Sequence, residues 1–236
     1  MIKHLLFDLD GTLLPIDLEF FMKHYIHALA VHFPNIPEKK FGAHLMASTM
    51  AMAKSLDPKL TNEEVFWTDF TERIGISRSE LEPTFQRFYD HDFPKLKKHL
   101  TPTDTPRLVL DYALREGFSV TLATNPLFPL QAIVERLAWI NCHEIPFRLI
   151  TALEDMHFCK PNREYYQEII DRLDLNPQEC MMIGNDMEED LVASYLGMKT
   201  CLITDHLISR GEIQVKPDFQ CSLEELPLII KEISSR

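Results

Sequence analysis

The chain has 236 residues, a formal charge of −12, and 45% hydrophobic and 25% charged residues, the balance of a globular protein that can bury a full core. No basic run exceeds the pairs Lys39, Lys40 and Lys97, Lys98, so a nucleic-acid partner is not expected, because replacing phosphate counterions needs a concentrated positive field; the same acidity repels an anionic membrane. Five cysteines without a CxxC pair read as buried free thiols, and the short apolar run at residues 5–7 is no signal-peptide core, so a cytoplasmic location is expected.

In chain order, residues 4–9 read as a buried strand cut off by the turn at Asp10, Gly11 and Thr12. The next comparable strand comes at residues 119–123. The sequence between them is helical: Leu18, Phe21, Tyr25, Ile26, Leu29 and Phe33 share one face, as do Leu81, Phe85, Phe88 and Tyr89. The Met-rich stretch 46–52 and residues 65–74 also favour helix. After residue 100 strands and helices alternate. Helices are predicted at 105–117, 129–139, 162–173, 188–196 and 223–233, the last opened by a Ser222–Glu225 capping box. Strands are predicted at 119–123, 148–150, 180–183 and 200–203.

This rhythm predicts an α/β fold: a doubly wound parallel sheet, Rossmann-like, formed by residues 1–14 and 100–236. An all-helical cap over residues 15–99 is inserted into it. Ligands in such sheets bind beyond the carboxyl ends of the strands, which directs attention to four segments. Asp8 and Asp10 fall on the same side of an extended chain, two carboxylates in one small volume; a divalent cation with a taste for hard oxygen ligands, such as Mg2+, would relieve their repulsion. Thr124 and Asn125 stand at a strand-to-helix junction, where a hydroxyl, an amide and backbone N–H groups can hold phosphate oxygens. Lys160 can neutralise both a phosphate and a carboxylate. Asn185, Asp186 and Asp190 follow a buried apolar strand, with Asp190 one helical turn beyond Asp186. Each segment has a purely structural reading (a turn, a turn starter, a solvated lysine, a helix N-terminus). Their joint occurrence at four strand ends favours chemistry.

These four segments resemble the motifs of the haloacid dehalogenase superfamily. They stand here as Asp8, Leu9, Asp10, Gly11, Thr12; then Thr124, Asn125; then Lys160, Pro161; then Gly184, Asn185, Asp186 and Asp190. The insertion resembles that family's helical type 1 cap. One departure stands out: relatives usually carry Asp directly after the glycine of the fourth motif, where this chain has Asn185. Either Asp186 is the principal metal carboxylate, the reading preferred from sequence, or Asn185 takes the ligand role with Asp190 in support.

The resemblance implies a Mg2+-dependent phosphatase acting on a small phosphorylated metabolite. Asp8 is then the nucleophile and metal ligand, and Asp10 the general acid and base and, through its backbone carbonyl, a second metal ligand. Lys160 is a catalytic and phosphate-binding cation, and Thr124 and Asn125 hold the transferring group. A phosphomutase would use the same residues, a dehalogenase would not need Asp10, and a binding module would need none of them together. His24 and His27 share a helix face, but no accompanying carboxylate–histidine set stands at zinc-site spacing.

Overall fold

The structure is a computed structural model that describes residues 1–211 and 215–235. Five parallel strands form one sheet in the order β2-β1-β3-β4-β5. They are β1 (His4–Phe7), β2 (Ser119–Leu122), β3 (Cys180–Gly184), β4 (Lys199–Ile203) and β5 (Phe219–Cys221). β1 is covered on both faces, so it reads as a continuous apolar run rather than an alternating one. Leu5 and Phe7 point into a core shared with Val109, Leu110, Ile133 and Ile230. Leu6 points the other way, among Tyr165, Tyr166, Ile169 and Met182. The helices supplying those residues are α5 (Thr105–Arg115), α6 (Leu130–Trp139) and α9 (Leu226–Ser234) on one face and α7 (Arg163–Leu173) on the other.

Between β1 and α5 the elements of the described chain are all helices: α1 (Leu18–Ala30), α2 (Glu38–Ala53), α3 (Asn62–Ile74), α4 (Arg78–His91) and a 3-10 helix at Phe93–His99. Side chains fix where these helices begin. Asp17 accepts from Phe20 N at the start of α1, and Thr61–Glu64 and Ser77–Glu80 form capping boxes for α3 and α4. Their apolar faces meet in an aromatic cluster that includes Phe41, Phe66, Trp67, Phe70 and Phe85. This helical layer is tied to the segment that carries Lys160 and leads into α7. Asn62 N donates to Met156 O (2.7 Å), Glu63 N to Leu153 O (3.0 Å), and Asn162 Nδ2 to Ala53 O (3.0 Å).

Three local expectations change. Residues 148–150 make one bridge, Leu122 with Ile150, rather than a strand. The segment still runs along β2 as expected, with Arg148 N donating to Val120 O (2.9 Å), Leu122 N to Leu149 O (2.9 Å) and Thr151 N to Leu122 O (3.1 Å), but the pairing is too short to form a regular strand. The expected helix at 188–196 is a single turn, α8 (Met187–Asp190), continued by a 3-10 helix at Leu191–Leu196 that stops at Gly197 (φ 91°). β5, three residues long, went unpredicted because so short a run shows no period. All five cysteines are buried and unpaired. Among the described residues no helix is long and apolar enough to cross a membrane.

Candidate active site

β1 delivers Asp8 to the carboxyl edge of the sheet, where its N–H donates to Ile183 O (2.9 Å). The chain then folds back tightly: Leu14 N donates to Leu9 O and Gly11 N to Leu14 O, both at 2.8 Å. Gly11 is required here twice over. Its φ is +83°, and a Cβ would lie 2.4 Å from Asn185 Nδ2. Gly184 serves the other side, since a Cβ there would lie 2.0 Å from Asp190 Oδ2. The two glycines let the first and fourth motifs close on one another.

Around Asp8 the polar groups converge. Lys160, fully buried, donates from Nζ to Asp8 Oδ1 (2.8 Å) and to Asp190 Oδ1 (2.7 Å). Thr12 Oγ1 lies 3.2 Å from Asp8 Oδ2 and 2.9 Å from Asn185 Oδ1, bridging the first and fourth motifs. Burial alone would drive the Lys160 proton off, but Asp190 and Asp8 overcome this and hold the ammonium well above its usual pKa. One cation does not satisfy two buried carboxylates. Burial therefore pushes Asp8 up to about 7, against the opposing pull of Lys160 and with Asp190 adding to the rise. Glu189 is pushed up to about 7, again chiefly by burial.

Thr124 is buried with its carbonyl capped by Thr151 Oγ1 and Tyr165 OH. Asn125 Oδ1 accepts from Lys160 N (3.2 Å) and its Nδ2 donates to Glu189 (3.0 Å), so the second motif and the lysine loop are braced together. Asp186 behaves differently from Asn185. Its Oδ1 caps α8 by accepting from Glu188 N and Glu189 N, and Arg210 grips both its oxygens at 2.8 Å. Asn185 instead lies beside Thr12, with Nδ2 donating to His206 O (2.6 Å).

Asp10 has a partner that sequence reasoning did not select. Arg136 on α6, with no exposed surface, donates from Nη1 to Asp10 Oδ2, and its guanidinium lies 4.4 Å from the centroid of Phe128. Asp10 Oδ1 is buried without a hydrogen-bond partner, as is Arg136 Nη2. A signal existed: Arg136 stands on the apolar stripe of α6 with Ala132, Ile133 and Leu137, where a charge needs a reason. Arg210 had no such signal, being an isolated arginine in a loop.

The donor chemistry suits a hard cation. The Asp8 carboxylate and the Asn185 amide oxygen share the Thr12 hydroxyl, and Asp8, Asp10, Asp186, Glu189 and Asp190 outnumber Lys160, Arg136 and Arg210. Among the described residues no three His, Cys, Asp or Glu side chains converge as a metal cluster.

Above these groups a cavity of about 300 Å³ runs from Asp8, Asp10, Thr124 and Asn125 up to the helical layer. Residues 2–194 match the family model of haloacid dehalogenase-like hydrolases. Pyrophosphatase PpaX from Bacillus anthracis is 24% identical, with the match covering 99% of this chain and 98% of that one. PpaX from Bacillus cereus strain G9842 is also 24% identical, over 92% and 91%. Among solved structures, L-2-haloacid dehalogenase from Xanthobacter autotrophicus superimposes with a TM-score of 0.60 at 16% identity, covering 98% of this chain and 99% of that one. The HAD-hydrolase YfnB from Bacillus subtilis, bound to magnesium, gives 0.59 at 24% identity, covering 97% and 98%. These superpositions concern the fold; the family match, over most of the chain, assigns the class. This chain belongs to the haloacid dehalogenase-like hydrolases.

Proposed function

We propose that the chain is a Mg2+-dependent phosphatase that hydrolyses a small phosphorylated metabolite through an aspartyl phosphate on Asp8. The observation that carries this reading is the environment of Asp8: one oxygen on the buried Lys160 ammonium, the other beside Thr12, at the foot of a cavity. A carboxylate so held is fixed as a nucleophile, and the buried lysine beside it offsets part of the charge an incoming phosphate would meet.

In the first step an Asp8 oxygen attacks phosphorus and the bond from phosphorus to the ester oxygen breaks, with Asp10 giving that oxygen its proton. In the second, Asp10 takes a proton from water, the resulting hydroxide attacks phosphorus, and the Asp8–phosphorus bond breaks to release inorganic phosphate. Arg136 engages Asp10 Oδ2 and leaves Oδ1 without a hydrogen-bond partner, so one oxygen is uncommitted for this proton transfer. Thr124 and Asn125 hold the transferring group. Mg2+, held by the Asp8 carboxylate, the Asp10 carbonyl and a side chain of the fourth motif, would offset the charge of the phosphate. For that last position we favour Asn185, a choice supported by the Arg210 contacts that already engage both oxygens of Asp186. YfnB, of the same fold, is bound to magnesium, which supports the choice of ion.

Residues 15–99 form the cap in this reading, closing over the cavity and touching the leaving group. The test is phosphate release from a panel of phosphate monoesters with and without Mg2+. Metal-dependent release of free phosphate supports the reading. Return of the phosphoryl group as a product isomer, with little free phosphate, would make the chain a mutase.

A further inference from the structure

We propose, building on the phosphatase reading, that the substrate's leaving group is apolar, about the size of an aromatic ring, and without negative charge. The substrate is then an aryl or arylalkyl phosphate rather than pyrophosphate or a sugar or polyol phosphate. The basis is what the cavity wall offers beyond the phosphate position. Tyr25, Phe66, Trp67, Phe85, Tyr89 and Phe128 line it, and none of its described lining residues is Lys, Arg or His.

An anionic leaving group would meet the wrong charges. The carboxylates Glu63, Glu82 and Glu154 line the upper cavity. Arg78 pairs with the first two at 2.8 and 2.9 Å without itself lining the space, and the third accepts from Leu130 N. The second phosphate of pyrophosphate would lie among carboxylates and ring faces with no cation to receive it. In this respect the chain's cavity argues for a chemistry different from the one that names the PpaX proteins.

A polyol would gain less than a ring, because several polar groups of the wall already bond one another or the backbone. The Tyr25 and Tyr89 hydroxyls bond each other (2.9 Å), and Thr49 Oγ1 donates to Leu45 O (3.0 Å). The Gln86 and Gln131 amides both donate to Asp90, and Gln86 also to Gln131. Hydroxyls entering this space would find the carboxylates as acceptors but few free donors, whereas a ring would gain burial against six aromatic side chains.

Benzyl phosphate and glycerol phosphate, which are both alkyl esters and so differ little in leaving-group activation, provide the comparison, with pyrophosphate as the anionic arm. Wild-type enzyme with Mg2+ is expected to show a kcat/KM for benzyl phosphate at least about tenfold above both, expressed mainly in KM. Met46→Lys, at a half-exposed cavity-lining position on α2, should raise the KM for benzyl phosphate and narrow its lead over pyrophosphate. Benzylphosphonate binding, followed by tryptophan fluorescence and compared with a Trp67→Phe variant, reads the cavity without turnover. Asp8-dependent turnover that favours pyrophosphate or glycerol phosphate would overturn this inference and leave the phosphatase reading intact. Saturable benzylphosphonate binding with no Asp8-dependent release from any ester would support the apolar cavity and remove the phosphatase reading. Failure to bind benzylphosphonate would count against the inference directly.

Discussion

Arg136 and Asp10, separated by 126 positions in the chain, form an ion pair at the floor of the cavity in which the arginine is fully buried and the aspartate keeps one oxygen without a partner. The pair links α6 to the turn after β1. It pins Asp10 Oδ2, and in the proposed mechanism it gives Arg136 a positioning role.

Arg136→Met should therefore lower kcat more than it raises KM, by roughly 10- to 100-fold, as expected when a general acid and base is held loosely. Breaking a buried pair costs about 3–5 kcal/mol in stability. Asp10 faces the cavity and can take up water, so the lower end is expected. Urea unfolding alongside kinetics separates the effects. The readout specific to positioning is a double-mutant cycle with Asp10→Asn: the kinetic effects should be strongly non-additive, whereas additive effects would show that Arg136 serves packing alone.

The metal-free protein should lose stability as pH rises toward neutrality. Asp8 and Glu189 are held near 7 when folded, against about 4 in an unfolded chain. A folded-state pKa raised in this way gives stability that is complete below the unfolded value and is lost progressively until pH passes the folded value. The melting temperature in EDTA should accordingly fall between pH 5 and 7.5. Asp8→Asn should show a smaller fall, and Mg2+ at pH 7.5 should raise the wild-type value. Equal pH slopes for wild type and Asp8→Asn would contradict the assignment.

Much of this site was legible in the sequence because its parts are local. The turn at Asp10 and Gly11, the apolar run of β1 and the strand–helix alternation each declare themselves within a dozen residues, and their order implies a parallel sheet with its chemistry at one edge. The pairs that tune the site were harder to read, because Arg136 with Asp10 and Arg210 with Asp186 join separate segments: the apolar stripe of α6 marks Arg136 as unusual without naming its partner, and Arg210 stands in a loop with no period. The same holds for the choice between Asn185 and Asp186. Sequence chemistry favoured the carboxylate, and only the Arg210 contact gives a reason to prefer the amide.

That choice can be measured directly. Asn185→Ala should raise the Mg2+ concentration needed for half-maximal activity by about tenfold or more, the scale of losing one ligand contact, and Asp186→Ala should raise it less. Asp186→Ala should act instead on stability, by removing the cap of α8 and the two-pronged contact with Arg210, at about 1–2 kcal/mol. The reverse order in Mg2+ dependence would restore Asp186 as the metal carboxylate.

The central claim is the covalent role of Asp8, and acid-quenched mass spectrometry during turnover tests it most directly. With benzyl phosphate and Mg2+, wild-type protein should carry the mass of one added phosphoryl group, and peptide mapping should place it on Asp8. Asp8→Asn should carry none and lose activity by several orders of magnitude while remaining folded. Phosphate release by Asp8→Asn at near wild-type rates, or a phosphoryl group found on another residue, would contradict the account.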